Sequence, residues 1–329
     1  MNRVLLFASL ASLITFGNSM TVTVHVKDEA GNPAVGAIVK IWTDKDRYQG
    51  LSRSPTYSYF EAITDTNGMA VLNFPCHSPS IYGCVYGDCY YREDSGLIPV
   101  KSTFNWFDFS VALKERSKEV TFVVRKKRKP SALCYAPPWP SPKLPKASGE
   151  FGFDLLENDW VAPYGDGKVA DFYVQRETSP TNNQVTVNSG IKFKGEGNGA
   201  YIHQKIKTSS DFKTDYEADT NETYQAYLPL CRHPAPKYPQ YTYSSIVKED
   251  EYIVMRTRVE KNVKGEIIKA HYSAMYGRVR IGEAFYHQGY VFNPMPNDPN
   301  LEMDLKSSVD LERDKKRRRR FMGPKGKVK

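Results

Sequence analysis

The chain lacks the features that mark most membrane proteins and many enzymes. Its first apolar run, residues 4–16, is 13 residues long, short of the roughly 20 that a spanning helix requires, and no later apolar stretch is long enough to span. Residues 20–125 contain no helical apolar period sustained over three turns. There is no Gly-x-Ser-x-Gly and no Cys-x-x-Cys, so the strand–turn–helix serine nucleophile and the tightly paired zinc thiolates have no sequence support. The six histidines (His25, His77, His203, His233, His271, His287) show neither His-x-x-x-His nor Glu-x-x-His spacing, which removes a helical metal site. No internal repeat is visible, and no motif implies a cofactor.

What is present begins with a leader. Arg3 supplies positive charge, residues 4–16 are the apolar stretch, and Gly17 and Ser19 are the small residues a signal peptidase selects. Residues 1–19 therefore read as a signal peptide, and the expected location is secreted, periplasmic or cell envelope, with no transmembrane segment in the mature chain. Five cysteines fit an oxidising compartment. Cys76, Cys84 and Cys89 fall within 14 residues and are the candidates for a disulfide, with the pairing open; Cys134 and Cys231 stand alone. An odd number leaves at least one thiol over.

The charge is unevenly placed. Between residues 313 and 329 there are ten Lys or Arg and one acid, which account for the whole formal charge of +9 and leave 36 residues of each sign elsewhere. The body of the chain is thus neutral, and specific nucleic-acid binding through a folded face is not expected. The tail, residues 307–329, reads as disordered and basic. Lys316, Arg317, Arg318, Arg319 and Arg320 are its candidates for contact with an anionic surface. A second basic run, residues 125–129, leads into a segment crowded with proline.

Period-two alternation in Val22, Val24 and Val26, the β-branched run of residues 38–42, and turn clusters at Gly31-Asn32-Pro33 and Asn67-Gly68 predict a β-sandwich over residues 20–125. Residues 126–148, with six prolines, are expected to be a semi-rigid linker. Residues 149–306 are a second β-rich domain, with residues 252–259, 267–276 and 278–281 forming a meander. The fold class is all-β: two β-sandwich-like domains joined by a Pro-rich linker, after a signal peptide.

Residues 22–72 carry Gly31-x-Pro33-x-x-Gly36-Ala37-x-Val39-x-Ile41 and Thr64-Asp65-x-x-Gly68-x-Ala70. In this they resemble carboxypeptidase-regulatory-like and bacterial Ig-like modules. The resemblance implies a β-sandwich of the kind attached to exported proteins as a spacer or adhesive unit. The region from Phe153-Asp154 through Asp159-Trp160-Val161-Ala162-Pro163-Tyr164-Gly165 to Asp171-Phe172 is similar to uncharacterised secreted bacterial proteins, a resemblance that implies no activity.

Aromatic residues are the remaining signal. Tyr86 and Tyr90 lie in the cysteine-bounded stretch, Trp160 and Tyr164 among acids (Asp154, Glu157, Asp159, Asp166, Asp171), and Tyr241 in a proline-rich loop. These five are the candidate ligand-binding residues, since an exposed ring face with a polar handle stacks on a sugar or a proline-rich peptide; ordinary strand packing also uses tyrosine. Two carboxylates facing each other beside Trp160 would instead suit glycoside hydrolysis. Asp298, Glu302 and Asp304 gather oxygen ligands but miss the calcium-loop spacing. The expectation is an exported, non-enzymatic binding or structural protein of the bacterial envelope or secretome, with a glycan or other envelope component as partner. The alternative is a carbohydrate-active hydrolase or its accessory sugar-binding subunit.

Overall fold

In the computed structural model the described residues are 19–44, 57–76, 80–105, 110–138, 140–181, 184–206, 210–236, 247–304 and 306–314. Residues 1–18 of the expected signal peptide (1–19), Tyr241 and Lys316–Arg320 lie outside them. The chain divides into two compact units. The first comprises residues 1–127 with 208–213, the second residues 128–207 with 214–329. Both are β-structures, so the all-β expectation holds.

In the first unit β1 (Ser19–Asp28) is flanked by β4 (Met69–Pro75), antiparallel, and β9 (Ser117–Val124), parallel. The facing sheet runs β3 (Tyr57–Ile63), β2 (Ile38–Asp44), β5 (Ser80–Gly87), β6 (Tyr90–Pro99), all antiparallel. β7 (Ser102–Asn105) and β8 (Ser110–Leu113) form a separate hairpin. The alternation read from the sequence is the packing. Met20, Val22, Val24 and Val26 of β1 are buried with Val39, Ile41, Ile81, Val85 and Phe122 between the sheets, each contributing roughly 1.5–3 kcal/mol by area. Gly68 sits at φ +70 and would place a Cβ 2.4 Å from the Val26 carbonyl oxygen; no side chain fits there. Asp65 Oδ1 closes that turn by accepting from the Asn67 and Met69 amides.

The second unit pairs a six-stranded sheet with a five-stranded one. In chain order the strands are β10 (Cys134–Ala136), β11 (Gly149–Asp154), β12 (Asp159–Trp160), β13 (Phe172–Thr181), β14 (Gln184–Lys192), β15 (Gly199–Gln204), β16 (Tyr227–Pro236), β17 (Glu251–Lys261), β18 (Ile267–Tyr276), β19 (Arg280–Ile281), β20 (Phe285–Tyr286), β21 (Tyr290–Phe292) and β22 (Val309–Asp310). The sheets run β15-β17-β18-β21-β10-β22 and β12-β11-β13-β14-β16. Phe151, Phe153, Phe172, Ile191, Ile253, Met255, Phe285 and Phe292 belong to one buried cluster.

The segment expected as a linker is built into the second unit. Cys134–Ala136 pairs with both β21 and β22. Prolines 130 and 137 flank this strand, where no ladder donor is needed. Farther on, Phe285 N–H donates to Pro142 O and Leu144 N–H to Glu283 O. The basic run is also folded in. Arg125 is 1% exposed and donates to Glu29 at 2.8 Å and to Phe212 O at 3.0 Å. The Arg128 and Lys129 amides both donate to the Glu302 carboxylate. β22 and the short helix at residues 311–314 extend order into the first part of the expected tail.

Candidate functional site

The acid-and-aromatic stretch around Trp160 is a structural knot. β11 ends at Asp154 and β13 begins at Phe172, so the loop between them returns on itself and must satisfy its own amides. Asp154 Oδ1 accepts from the Leu156 and Glu157 amides and Oδ2 from those of Lys168 and Val169. Asp171 Oδ2 accepts from Leu155 N–H. Arg258 completes both carboxylates: Nη2 reaches Asp154 Oδ1 and Asp171 Oδ2, and Nε reaches Asp171 Oδ1, all at 2.8 Å. The arginine arrives from a bulge where the β17–β18 register shifts between Thr257 and Glu260, and it takes φ +54 to do so. Burial disfavours its charge, but the Asp171 and Asp154 carboxylates prevail and raise its pKa.

All four oxygens of Asp154 and Asp171 are thereby engaged, and both side chains are buried. Asp159 accepts from the Trp160 and Asp166 amides. Trp160 does not offer a ring face to solvent as the sequence suggests. It is 4% exposed, packs edge-on against Phe151 and Phe153, and donates its indole N–H to Lys143 O at 2.7 Å. Tyr164 is exposed, with Phe151 against its edge and the Lys146 ammonium over its ring. Asp298, Glu302 and Asp304 turn to separate backbone partners, and among the described residues no group of three or more His, Cys, Asp or Glu could hold a metal ion.

The first unit presents a different kind of surface. On the outward face of its four-stranded sheet, strand register brings one residue from each strand into a single row. Trp42 on β2 is directly opposite Tyr59 on β3 and Tyr82 on β5, and Tyr82 is opposite Leu97 on β6. Ring centroids of Trp42 and Tyr82 are 5.9 Å apart with planes 13° from parallel, and Trp42 and Tyr59 are 6.4 Å apart. Tyr57 extends the row along β3, 6.4 Å from Tyr59. Tyr59 is 58% exposed and Leu97 53%.

Two residues farther along the strands the next row is Glu61, Lys40, Cys84 and Asp94. Lys40 Nζ lies 3.0 Å from Glu61 Oε1 and 4.7 Å from the centre of the Tyr59 ring. Tyr86 on β5 donates its hydroxyl to the same Glu61 oxygen at 3.2 Å. The hydrogen bond to Glu61 raises the Lys40 pKa, and the bonds from Lys40 and then Tyr86 lower that of Glu61. The outcome is a patch with aromatic rings in one row and a paired donor–acceptor group beside it.

Of the predicted ligand residues, Tyr86 belongs to this patch. Tyr90 does not: it is half-buried, packs against the inter-sheet core, and bridges to Lys126. The sequence reading missed Tyr57, Tyr59, Trp42 and Lys40. Their signal was present as two aromatic-rich strands, but Phe60 between Tyr59 and Glu61 is also aromatic and points inward against Phe74, so alternation alone gave no contrast between faces.

The cysteine trio holds no disulfide. Cys76 packs in the core between the sheets, Cys84 lies in the outward row just described, and Cys89 is exposed in the β5–β6 turn. Cys84 is three residues from the last β5–β6 pair, Gly87–Tyr90, about 10 Å along the strand and beyond the roughly 7 Å Cα separation a disulfide tolerates.

No protein-family model matches the chain, and no curated protein matches it. Similar solved structures include 3-chlorocatechol 1,2-dioxygenase from Rhodococcus opacus, at 11% identity and TM-score 0.24, covering 34% of this chain and 62% of that one. The chain thus spans less than two thirds of that enzyme. They also include the shaft pilin SpaA of Lactobacillus rhamnosus, at 9% identity and TM-score 0.23, covering 89% of this chain and 96% of that one. The major pilin subunit BcpA of Bacillus cereus is similar at 10% identity and TM-score 0.22, covering 89% and 98%. Likenesses this distant lend no weight to any activity or assembly, and the functional reading rests on this chain's own geometry. Among the described residues, no helix is long and apolar enough to cross a membrane.

Proposed function

We propose that the protein is an exported, non-enzymatic binding or structural component of a bacterial envelope or secretome, and that its ligand is a glycan. The observation that carries this reading is the row of rings on the outward sheet face, with Tyr59 and Leu97 more than half exposed. Contiguous exposed apolar surface rimmed by polar groups marks a recognition site more often than a structural one. The hydrolase alternative is weakened at two of its five candidate acids, since backbone amides and Arg258 already engage every oxygen of Asp154 and Asp171. The basic residues Lys316–Arg320 add a second, charge-driven contact to anionic surface. A glycan array probed with the mature protein, with and without calcium, tests the main reading: binding to at least one glycan family is expected, and a blank array under both conditions refutes it. Removing residues 315–329 should abolish salt-sensitive binding to anionic liposomes or polyanions; unchanged binding would make the tail a bystander.

A further inference from the structure

We infer that the outward face of the β3-β2-β5-β6 sheet is the binding surface for a neutral polysaccharide chain lying across the strands, over Tyr59, Trp42, Tyr82 and Leu97. This rests on the glycan-binding reading above and adds the site, the orientation and the chemical class.

The orientation follows from register. Four directly opposed residues on neighbouring strands make a row of about 14 Å, since strands lie about 4.8 Å apart. A row that long and nearly straight matches an extended polymer better than a single sugar. The ring spacings of 5.9 and 6.4 Å set successive rings along it.

Charge balance sets the class. The cations of this face are paired: Lys40 with Glu61 at 3.0 Å and Arg92 with Asp94 at 3.1 Å. These pairs leave no excess positive charge to attract an acidic polysaccharide or a lipid headgroup. A proline-rich peptide also stacks on aromatic rows, but its backbone has few or no N–H donors. Glu61 is an acceptor beside the row, with the Lys40 ammonium and Tyr86 hydroxyl as donors. A ligand that engages this group must both donate and accept, as sugar hydroxyls do.

The test uses the mature full-length protein and soluble hydroxyethylcellulose, glucomannan and arabinoxylan as neutral probes. Heparin and polygalacturonate are the anionic probes and poly-L-proline the peptide probe, all measured by affinity electrophoresis and calorimetry. At least one neutral probe should bind, with less than about a twofold change between roughly 50 and 500 mM salt, because screening acts on net charge. Tyr59→Ala and Trp42→Ala should each weaken that binding by about tenfold, the effect of losing one well-stacked ring, and Glu61→Gln should weaken it less. Because the Tyr59 ring is more than half exposed, Tyr59→Ala should lower the unfolding midpoint by no more than the small worth of its cross-strand pair, which separates lost binding from lost fold. Binding only to the anionic probes, only to poly-L-proline, or to none of the panel overturns the inference, as does wild-type affinity in both Tyr59→Ala and Trp42→Ala. If an arrayed glycan still binds in any of those cases, the broader glycan reading stands and only this face or class is wrong; a blank array removes both.

Discussion

Replacing Arg258 by methionine should be the most damaging single change in the second unit. The side chain fills similar volume but leaves two buried carboxylates without their shared cation. Removing one partner of a buried ion pair costs about 3–5 kcal/mol. Here the lower end applies, because Asp154 keeps its four backbone amides and Asp171 keeps one. At about 2–4 °C per kcal/mol for a unit of this size, a loss of about 3 kcal/mol lowers the melting temperature by about 6–12 °C. Calorimetry would give the shift, and hydrogen exchange over residues 153–172 would assign it to the knot. Arg258→Lys should recover only part of the loss, since an ammonium cannot reproduce the two-armed contact. A shift below about 2 °C for Arg258→Met, with protection of residues 153–172 unchanged, would refute the claim that this triad holds the loop closed.

Three other perturbations have definite signs. His287 is buried against Phe285 and Tyr290, and burial lowers its pKa from 6.5 to about 4. The unfolded chain binds this proton first, so stability is full above pH 6.5 and declines as pH falls toward 4. The loss is on the order of 3 kcal/mol, and His287→Phe should flatten that part of a urea-midpoint-against-pH curve; an equally steep curve in the variant would assign the acid sensitivity elsewhere. Gly68→Ala should cost about 2 kcal/mol or more, because strained φ and contact with the Val26 carbonyl add together. Gly31→Ala, at φ +84 with nothing within 4 Å of the new Cβ, should cost about 1 kcal/mol; equal midpoints for the two variants would contradict the close approach at Gly68. Under native conditions iodoacetamide should label exposed Cys89 well before Cys84, whose thiol pKa burial pushes up; a Cys84–Cys89 disulfide in peptide maps of the oxidised protein would overturn this geometry.

Local chemistry made much of the first unit legible. Val22, Val24 and Val26 alternate because one side faces a core, and Asn67-Gly68 marks a turn because only glycine fits beside the Val26 carbonyl. Long-range partners hid the rest. Arg125 looks solvated in a run of five basic residues, yet Glu29 and Phe212 meet it from positions 96 and 87 residues away. Cys134–Ala136 looks like part of a spacer until β21 and β22 pair with it. Trp160 among five acids resembles a sugar site, but the acids serve loop amides and Arg258, which lies 104 residues beyond Asp154. The aromatic row exists only through the register of four strands, and no window of sequence contains it.

Aromatic cross-strand pairs also stabilise sheets, so the row needs a reason beyond the fold. Such pairs contribute about 0.2–1 kcal/mol each, and Trp42, with a tyrosine on each side, makes two of them. Trp42 and Tyr82 serve sheet stability, stacking 13° from parallel. Tyr59 nevertheless remains 58% exposed and Ile63, beside the Lys40–Glu61 pair, 68%, a surface that carries a standing risk of association in water. The two roles separate by experiment at Tyr59. A purely structural ring lost to alanine shifts stability by a few tenths to 1 kcal/mol and leaves every ligand unaffected. Loss of a recognition ring gives up that same small stability and in addition lowers affinity by about tenfold.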